Sequence, residues 1–247
     1  MPEKPRALSD AARFAAVSEE LGALTDQKDT LDRVAELVFD VVPNATYCDA
    51  MLRRAGRWES MVATDDLVVR CGALQLELEE GPLWESPHDP GAFLVTDTAH
   101  EERWPRWCAQ LAELGIRSVV AVQLRSYRDD GDRVMGLISV YDKAAGTFSQ
   151  DDVDRALVFA THVATALTTA KLVGRLETSI KTRHLIGVAQ GILMQRHNLT
   201  EADAYAAIRR YAGEHRLSVG AAAEVVVGGE SDPMIGLQTG SGASAVP

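Results

Sequence analysis

Apolar residues along this chain change their period several times, and each change marks an element. Phe14, Val17, Leu21 and Leu24 recur at steps of three and four, the signature of one helix face, with Ser9 placed as its N-cap. Leu31, Val34, Ala35 and Val38 predict a second helix, introduced by Asp29 and Thr30 and closed by Pro43. Beyond Pro43 the period falls to two. Cys48, Ala50 and Leu52 alternate over residues 46–53, residues 59–64 read as a partner strand, and Arg54-Ala55-Gly56 is the hairpin turn between them. Leu67, Val68, Cys71, Leu74 and Leu78 fit a helix that Glu80-Gly81-Pro82 breaks. Residues 92–97 form a strand, and Glu102-Arg103-Trp104-Pro105 opens a helix with Trp104, Trp107, Cys108, Leu111 and Leu114 on its apolar face, closed by Gly115. Two extended runs follow, 117–125 and 133–141, separated by the turn signal Asp129-Asp130-Gly131-Asp132. About five strands among helices predict an α+β domain with a largely antiparallel sheet flanked by helices.

The last third reads differently. Ser149-Gln150-Asp151-Asp152 resembles a capping box and introduces the longest helical run in the chain. Val153, Leu157, Ala160, Ala164 and Leu167 form a heptad-like seam, after which Leu172, Leu176 and Ile180 step by fours, a stutter. This helix is either a signalling rod, or a core helix that packs on its own sheet and continues as a solvated connector. Residues 183–196, R-H-L-I-G-V-A-Q-G-I-L-M-Q-R, keep helical spacing but hold Gly187 and Gly191, each unfavourable by up to ~1 kcal/mol against alanine. Such glycines imply close approach by a packed neighbour or by a ligand such as nucleic acid. Two short helices follow, the first opened by Thr200 and Asp203 as a capping box. Leu185, Val188, Ala189 and Ile192 are the expected core of the first helix of this three-helix bundle, and Val219, Ala222, Ala223 and Val226 that of the third. The expected division is a disordered arm (1–8), an α+β domain (9–170), a helical connector (171–180), the bundle (181–228) and a small-residue, disordered tail (229–247).

Composition adds limits. With 247 residues and 46% apolar content the chain suits two domains with real cores. A net charge of −11 excludes general attraction to polyanions, yet residues 178–230 carry six basic and five acidic side chains, a net +1 that leaves −12 elsewhere. Cys48, Cys71 and Cys108 are odd in number and scattered, so neither a disulfide framework nor a zinc site is indicated, and they read first as buried small hydrophobes. His88, His100 and His162 show no haem or zinc spacing, and no cofactor is identified. The start, M-P-E-K-P-R, lacks an apolar signal core, and no run approaches the ~18 apolar residues of a membrane span, so a soluble cytoplasmic protein is expected.

Two resemblances emerge from these motifs. Arg183-x-x-Ile186-Gly187-x-Ala189-Gln190-Gly191-Ile192-Leu193-Met194-x-Arg196, then Leu199-Thr200-x-x-x-Ala204-Tyr205-x-x-Ile208-Arg209, then Val219-x-x-Ala222-Ala223-x-x-Val226-Val227 resembles the ANTAR domain. That resemblance implies a three-helix RNA-binding bundle that prevents transcription termination by binding hairpin loops in nascent transcripts. Ala63-Thr64-Asp65, Leu74-Gln75, Glu80-Gly81-Pro82, Val95-x-Asp97, Arg103-Trp104-Pro105, Gly115-x-Arg117-Ser118-Val119, Gly136-Leu137-x-x-Val140-Tyr141 and Phe148 resemble a GAF domain, a sensory α+β fold with a pocket on one sheet face. Leu83 stands where many relatives carry cysteine, the cyclic-nucleotide signature is missing, and the third bundle helix has Leu217, Ser218 and Gly220 where relatives often carry basic residues.

Candidate residues follow from both readings. For RNA they are Lys181, Arg183, Gln190, Gly191, Arg196, Tyr205, Arg209, Arg210 and Arg216, since cations meet phosphate, tyrosine stacks on splayed bases, and glycine admits a backbone. Against this, Arg209 and Arg210 point about 100° apart, Tyr205 serves equally as core, and Arg183 and Arg196 have Glu201 and Glu214 as surface partners worth ~0–1 kcal/mol. Trp58, Trp84, Trp104 and Tyr141 are candidates for a sensor pocket, with core packing the competing use. The expected function is non-enzymatic: a signal-responsive, RNA-binding antitermination regulator, homodimeric and away from membranes, with a small-molecule or protein signal at the GAF-like part. The alternatives are a GAF-fold redox enzyme using cysteine, as in methionine-sulfoxide reductases of that fold, and a DNA-binding or protein-docking helical module.

Overall fold

The computed structural model describes residues 6–85, 91–126 and 133–229. His88, the turn at Asp129-Asp130-Gly131-Asp132 and the stretch from residue 230 onward lie outside the described residues. The chain divides into two compact units, residues 1–173 and 174–247. In the first, helices α1 (Arg6–Gly22) and α2 (Gln27–Val41) precede the hairpin of β1 (Tyr47–Arg54) and β2 (Arg57–Ala63). Then come α3 (Asp66–Leu78), a 3-10 turn at Pro82–Trp84, β3 (Ala92–Val95), a 3-10 turn at Thr98–His100, α4 (Pro105–Glu113), β4 (Ser118–Ser126), β5 (Arg133–Asp142) and the start of α5 (Gln150–His197). The sheet runs β2-β1-β5-β4-β3 with every pairing antiparallel, the α+β class read from the sequence.

Local chemistry accounts for the element ends. Arg54 pairs with Arg57, so Ala55 (φ 47) and Gly56 (φ 84) form a two-residue turn with both centres left-handed, as a type I′ hairpin requires. Helix α1 begins at Arg6, so Ser9 lies inside it rather than capping it. Helix α2 is capped by Asp26, whose carboxylate accepts from the Lys28 and Asp29 amides, so Asp29 and Thr30 sit in its first turn instead of preceding it.

The sheet is covered on both sides. On one face Cys48, Ala50 and Leu52 meet Val120, Val122, Leu124, Ile138 and Val140 beneath α1, α2 and the first half of α5. On the other, Val95, Val119 and Tyr141 pack with α3 and α4, while Met51, Ala121 and Leu137 pack with Leu83 of the first 3-10 turn. Burial on both faces explains why β4 carries the consecutive apolar residues Val119, Val120, Ala121 and Val122 instead of alternating.

The Asp152 carboxylate accepts from the Ser149 amide at 2.8 Å and its hydroxyl at 2.7 Å, the return half of the expected capping box. Val153, Ala156, Phe159, Ala160, Val163, Ala164, Leu167 and Ala170 are the buried stripe of α5, and Leu157 is 41% exposed. The heptad seam is therefore corrected over this interval to the wider apolar face of a core helix, which favours packing on its own sheet. An 18-residue window of α5 has mean hydropathy 1.4, long and apolar enough to cross a membrane by length and composition, and 44% of it is buried inside the protein. The expectation that no run comes near that limit is corrected accordingly: the apolar residues cover the sheet.

The second half of α5 belongs to the second unit with α6 (Glu201–His215) and α7 (Val219–Gly228). They enclose Ala189, Leu193, Ala204, Ala207, Ile208, Ala212, Ala222, Ala223 and Val226. Leu193 takes the central place expected of Val188, which is 39% exposed. No break separates connector from bundle, because α5 runs 48 residues.

Candidate functional site

The bundle is positioned by its caps. Thr200 accepts from the Asp203 amide at 3.2 Å, the forward half of the expected box at the start of α6, and its hydroxyl donates to the Asp203 carboxylate at 2.6 Å. Ser218 accepts from the Ala221 amide at the start of α7. Gly220, seen in the sequence as a missing basic position, is a packing glycine: a Cβ there would lie 2.9 Å from Thr182 Cγ2 of α5. Gly187 and Gly191 are the opposite case. Both are exposed, and among the described residues nothing beyond the helix's own adjacent backbone lies within 4 Å of where their Cβ atoms would be, so no described side chain accounts for either glycine.

Helix geometry sorts the predicted RNA residues into sets. Arg183, Gly187 and Gln190 share one face of α5 with Gly191 beside it, whereas Lys181 and Arg196 lie on the opposite side. Gln190 donates its amide to the Glu201 carbonyl at 3.2 Å, tying this face to the first turn of α6. On α6, Tyr205 and Arg209 stand one turn apart on an exposed flank, with Tyr205 39% exposed and outside the alanine core. Arg210 points away from that flank and lies 3.9 Å from Glu214. Arg216 ends α6 in the left-handed conformation, φ 54. Lys181, Arg183, Arg209 and Arg216 form no ion pair among the described residues, whereas Arg196 is engaged. Tyr211, not singled out in the sequence, is half-buried and stacks on His215 at 4.0 Å.

The four sensor aromatics do not converge. Trp104 is buried edge-on to Phe93 and Trp107, and its indole donates to Glu85 Oε1 at 2.8 Å. Tyr141 is fully buried in the same cluster. Trp58 packs in another cluster with Met51, Leu83, Ala121 and Leu137. Trp84 is 49% exposed, held by its indole to the Gln75 carbonyl at 2.7 Å. Residues of the GAF-like motifs act as scaffold. Asp97 receives two hydrogen bonds from Arg117, at 2.9 and 2.8 Å, and caps the second 3-10 turn. The Ala99 amide, His100 and Arg117 bring its carboxyl down to about 2. Glu80 accepts from the Arg106 amide at 2.8 Å and the Trp107 amide at 3.2 Å, at the start of α4.

The sequence reading missed a polar group under α3. Asp49 is 1% exposed, and its Oδ1 accepts from the Tyr141 hydroxyl at 3.2 Å. Burial pushes its carboxyl up to about 7, with Ser139 and Tyr141 drawing it partway back. Simple alternation places Asp49 on a solvent face, and only burial of both sheet faces makes it unusual. The cysteines are neutral thiols: burial drives Cys71 and Cys108 up to about 12, and Cys48 far above its ordinary value.

A carboxyl that binds its proton more tightly when folded makes stability fall as pH rises between the unfolded and folded pKa values. Relative to Asp49→Asn, the parent should therefore lose up to about 4 kcal/mol between pH 4 and pH 7 and nothing further above that range, measured by urea unfolding. A difference between the two proteins that does not change with pH would contradict the burial assignment.

Comparison with known proteins locates the chain. Among solved structures it is similar to the photosensory core module of Stigmatella aurantiaca phytochrome, with 10% identity and a TM-score of 0.56, covering 83% of this chain and 44% of that one. It is likewise similar to the bacteriophytochrome RpBphP3 of R. palustris, with 10% identity and a TM-score of 0.58, covering 83% of this chain and 47% of that one. The chain thus spans less than half of either phytochrome chain, and the likeness shows the fold alone. No curated protein matches. The profile of the GAF domain matches residues 14–167 and that of the ANTAR domain residues 174–227. With more than half its length matched by the first profile, the chain belongs to the GAF family and carries an ANTAR domain behind it, the make-up of a signal-controlled regulator.

Proposed function

We propose that this protein is a cytoplasmic RNA-binding regulator that acts by transcription antitermination, reading hairpin loops in nascent transcripts under the control of its GAF domain. The observation that carries the reading is the pair Gly187 and Gly191, with open space over their backbone beside the unpaired Arg183. RNA is a ligand that uses both features, since phosphate meets arginine and loop nucleotides approach bare backbone. Tyr205 and Arg209 supply a stacking ring and a second cation on the adjoining helix. In this reading residues 9–170 sense, 171–180 connect and 181–228 bind RNA. Cysteine-based redox catalysis is disfavoured, because all three thiols are buried and held neutral. Leu172, Leu176 and Ile180, 41%, 55% and 66% exposed, supply the apolar face for a homodimer of α5 helices.

Gly191→Leu separates binding from folding, because the position is open and leucine favours the helix by up to about 1 kcal/mol over glycine. The variant should melt no lower than the parent yet bind a two-hairpin transcript at least tenfold more weakly in a filter titration. Undiminished affinity would remove the glycine face from the interface. The dimer is tested by sedimentation velocity: the parent should run as a dimer and the Leu176→Glu, Ile180→Glu double variant as a monomer, whereas equal coefficients would rule out this face.

A further inference from the structure

Every residue from 174 to 181, the first stretch of the ANTAR domain, is exposed. A helical stretch with water on all sides gains nothing from packing, so a partner can decide what its side chains do. Residues 174–191 carry three cations, Arg175, Lys181 and Arg183, against the single acid Glu177, a local excess of positive charge in a chain of net −11. Arg175, Ser179, Arg183 and Gly187 follow one another at steps of four, one row along α5 in which each step rises about 6 Å and turns about 40°. Glu177 lies about 160° round the helix from Ser179, so the row holds no acid. Arg175 and Arg183 form no ion pair among the described residues. Thr178 turns its hydroxyl inward, donating to the Gly174 carbonyl at 2.8 Å, whereas the Ser179 hydroxyl has no partner among the described residues.

We infer that this row holds the sugar–phosphate backbone of the RNA stem, below the loop that meets Gly187 and Gly191. The inference rests on the RNA-binding reading of the ANTAR domain and extends its surface by about 18 Å, from Gly187 back to Arg175. A bare helix ridge offers no ring to stack on and no cleft to enclose a base, so it reads no sequence. Guanidinium groups with a hydroxyl between them suit phosphate and 2′-hydroxyl oxygens, which every stem presents. Each phosphate neutralised there releases counterions, so this part of the affinity depends on stem length and on salt, while the loop supplies specificity. Leu176 and Ile180 lie about 100° round the helix from Arg175 and Ser179 respectively, so pairing of α5 helices and stem binding use different side chains.

Two RNAs with the same pair of loops, one with long stems and one with stems cut to a few G·C pairs, test this on the full chain. At low salt the parent should prefer the long-stem RNA at least tenfold, and Arg175→Gln should cut that preference to about threefold or less. The slope of log affinity against log salt for the long-stem RNA should become shallower by about 1 in the variant. Because Arg175 has no partner among the described residues, Arg175→Gln should melt and sediment with the parent. Arg57→Gln, which removes an exposed cation at the β1–β2 hairpin, should change neither the preference nor the slope. A benzophenone side chain placed at position 179 should crosslink to the stem, and one at position 177, on the far side of the same turn, should not. Equal losses of affinity for the two RNAs, an unchanged salt slope, or equal crosslinking from 177 and 179 would overturn the proposal while RNA binding itself stands. No saturable binding of either RNA by the parent would overturn the RNA-binding reading and this row with it.

Discussion

Both faces of the five-stranded sheet must be kept from water, and that requirement arranges the rest of the molecule. One face is covered by α1, α2 and the first half of α5, the other by α3, α4 and the Pro82–Trp84 turn. It accounts for the consecutive apolar residues Val119, Val120, Ala121 and Val122 of β4 and gives α5 a broad apolar stripe instead of a narrow seam. It also places Asp49, a residue that alternation alone would leave in water, where its carboxyl is pushed up to about 7. The same helix that seals the first face continues as the first helix of the ANTAR bundle.

What was legible in the sequence follows from which forces are local. The Ala55-Gly56 turn, the Ser149 and Asp152 pair and the Thr200 and Asp203 pair depend on residues within a few positions of each other; the turn forms, and each pair makes the hydrogen bonds that half of a capping box requires. The faces of α1 and α2 were readable because a single period suffices when one side is buried. Misreadings came where a distant neighbour decides. Leu157 fits a heptad but faces water because the sheet lies about 120–160° round the helix, on the side of Phe159 and Val163. The core place expected of Val188 passes to Leu193, which lies about 140° round α5 from it, on the face that meets α6 and α7. Asp26 rather than Asp29 caps α2, a choice between two equally suitable carboxylates three residues apart.

The candidate sites divide along the same line. Residue types suited to RNA were visible from the motif, but the structure decides which stand together: Arg183, Gly187 and Gln190 on α5, Tyr205 and Arg209 on α6. Gly191 was read as admitting a close approach and Gly220 as a position lacking a basic side chain; the first is open and the second is packed against Thr182. In the GAF domain the large aromatics drew attention because they carry buried area, and all four serve as packing or hydrogen-bond donors, Trp104 and Tyr141 in one cluster and Trp58 and Trp84 apart from it. The buried polar groups are instead small and inconspicuous in sequence, Asp49, Gln75 and Ser139 among them.

The central claim is that the ANTAR bundle of this regulator contacts RNA through the bare glycine face of α5 and the neighbouring flank of α6. Ultraviolet crosslinking of the full chain to a two-hairpin transcript, followed by mass spectrometry of the adducted peptides, tests it most directly. Nucleotide adducts should fall on peptides spanning residues 183–191 and 205–209. Adducts confined to the GAF domain, or none above a scrambled transcript, would contradict the account.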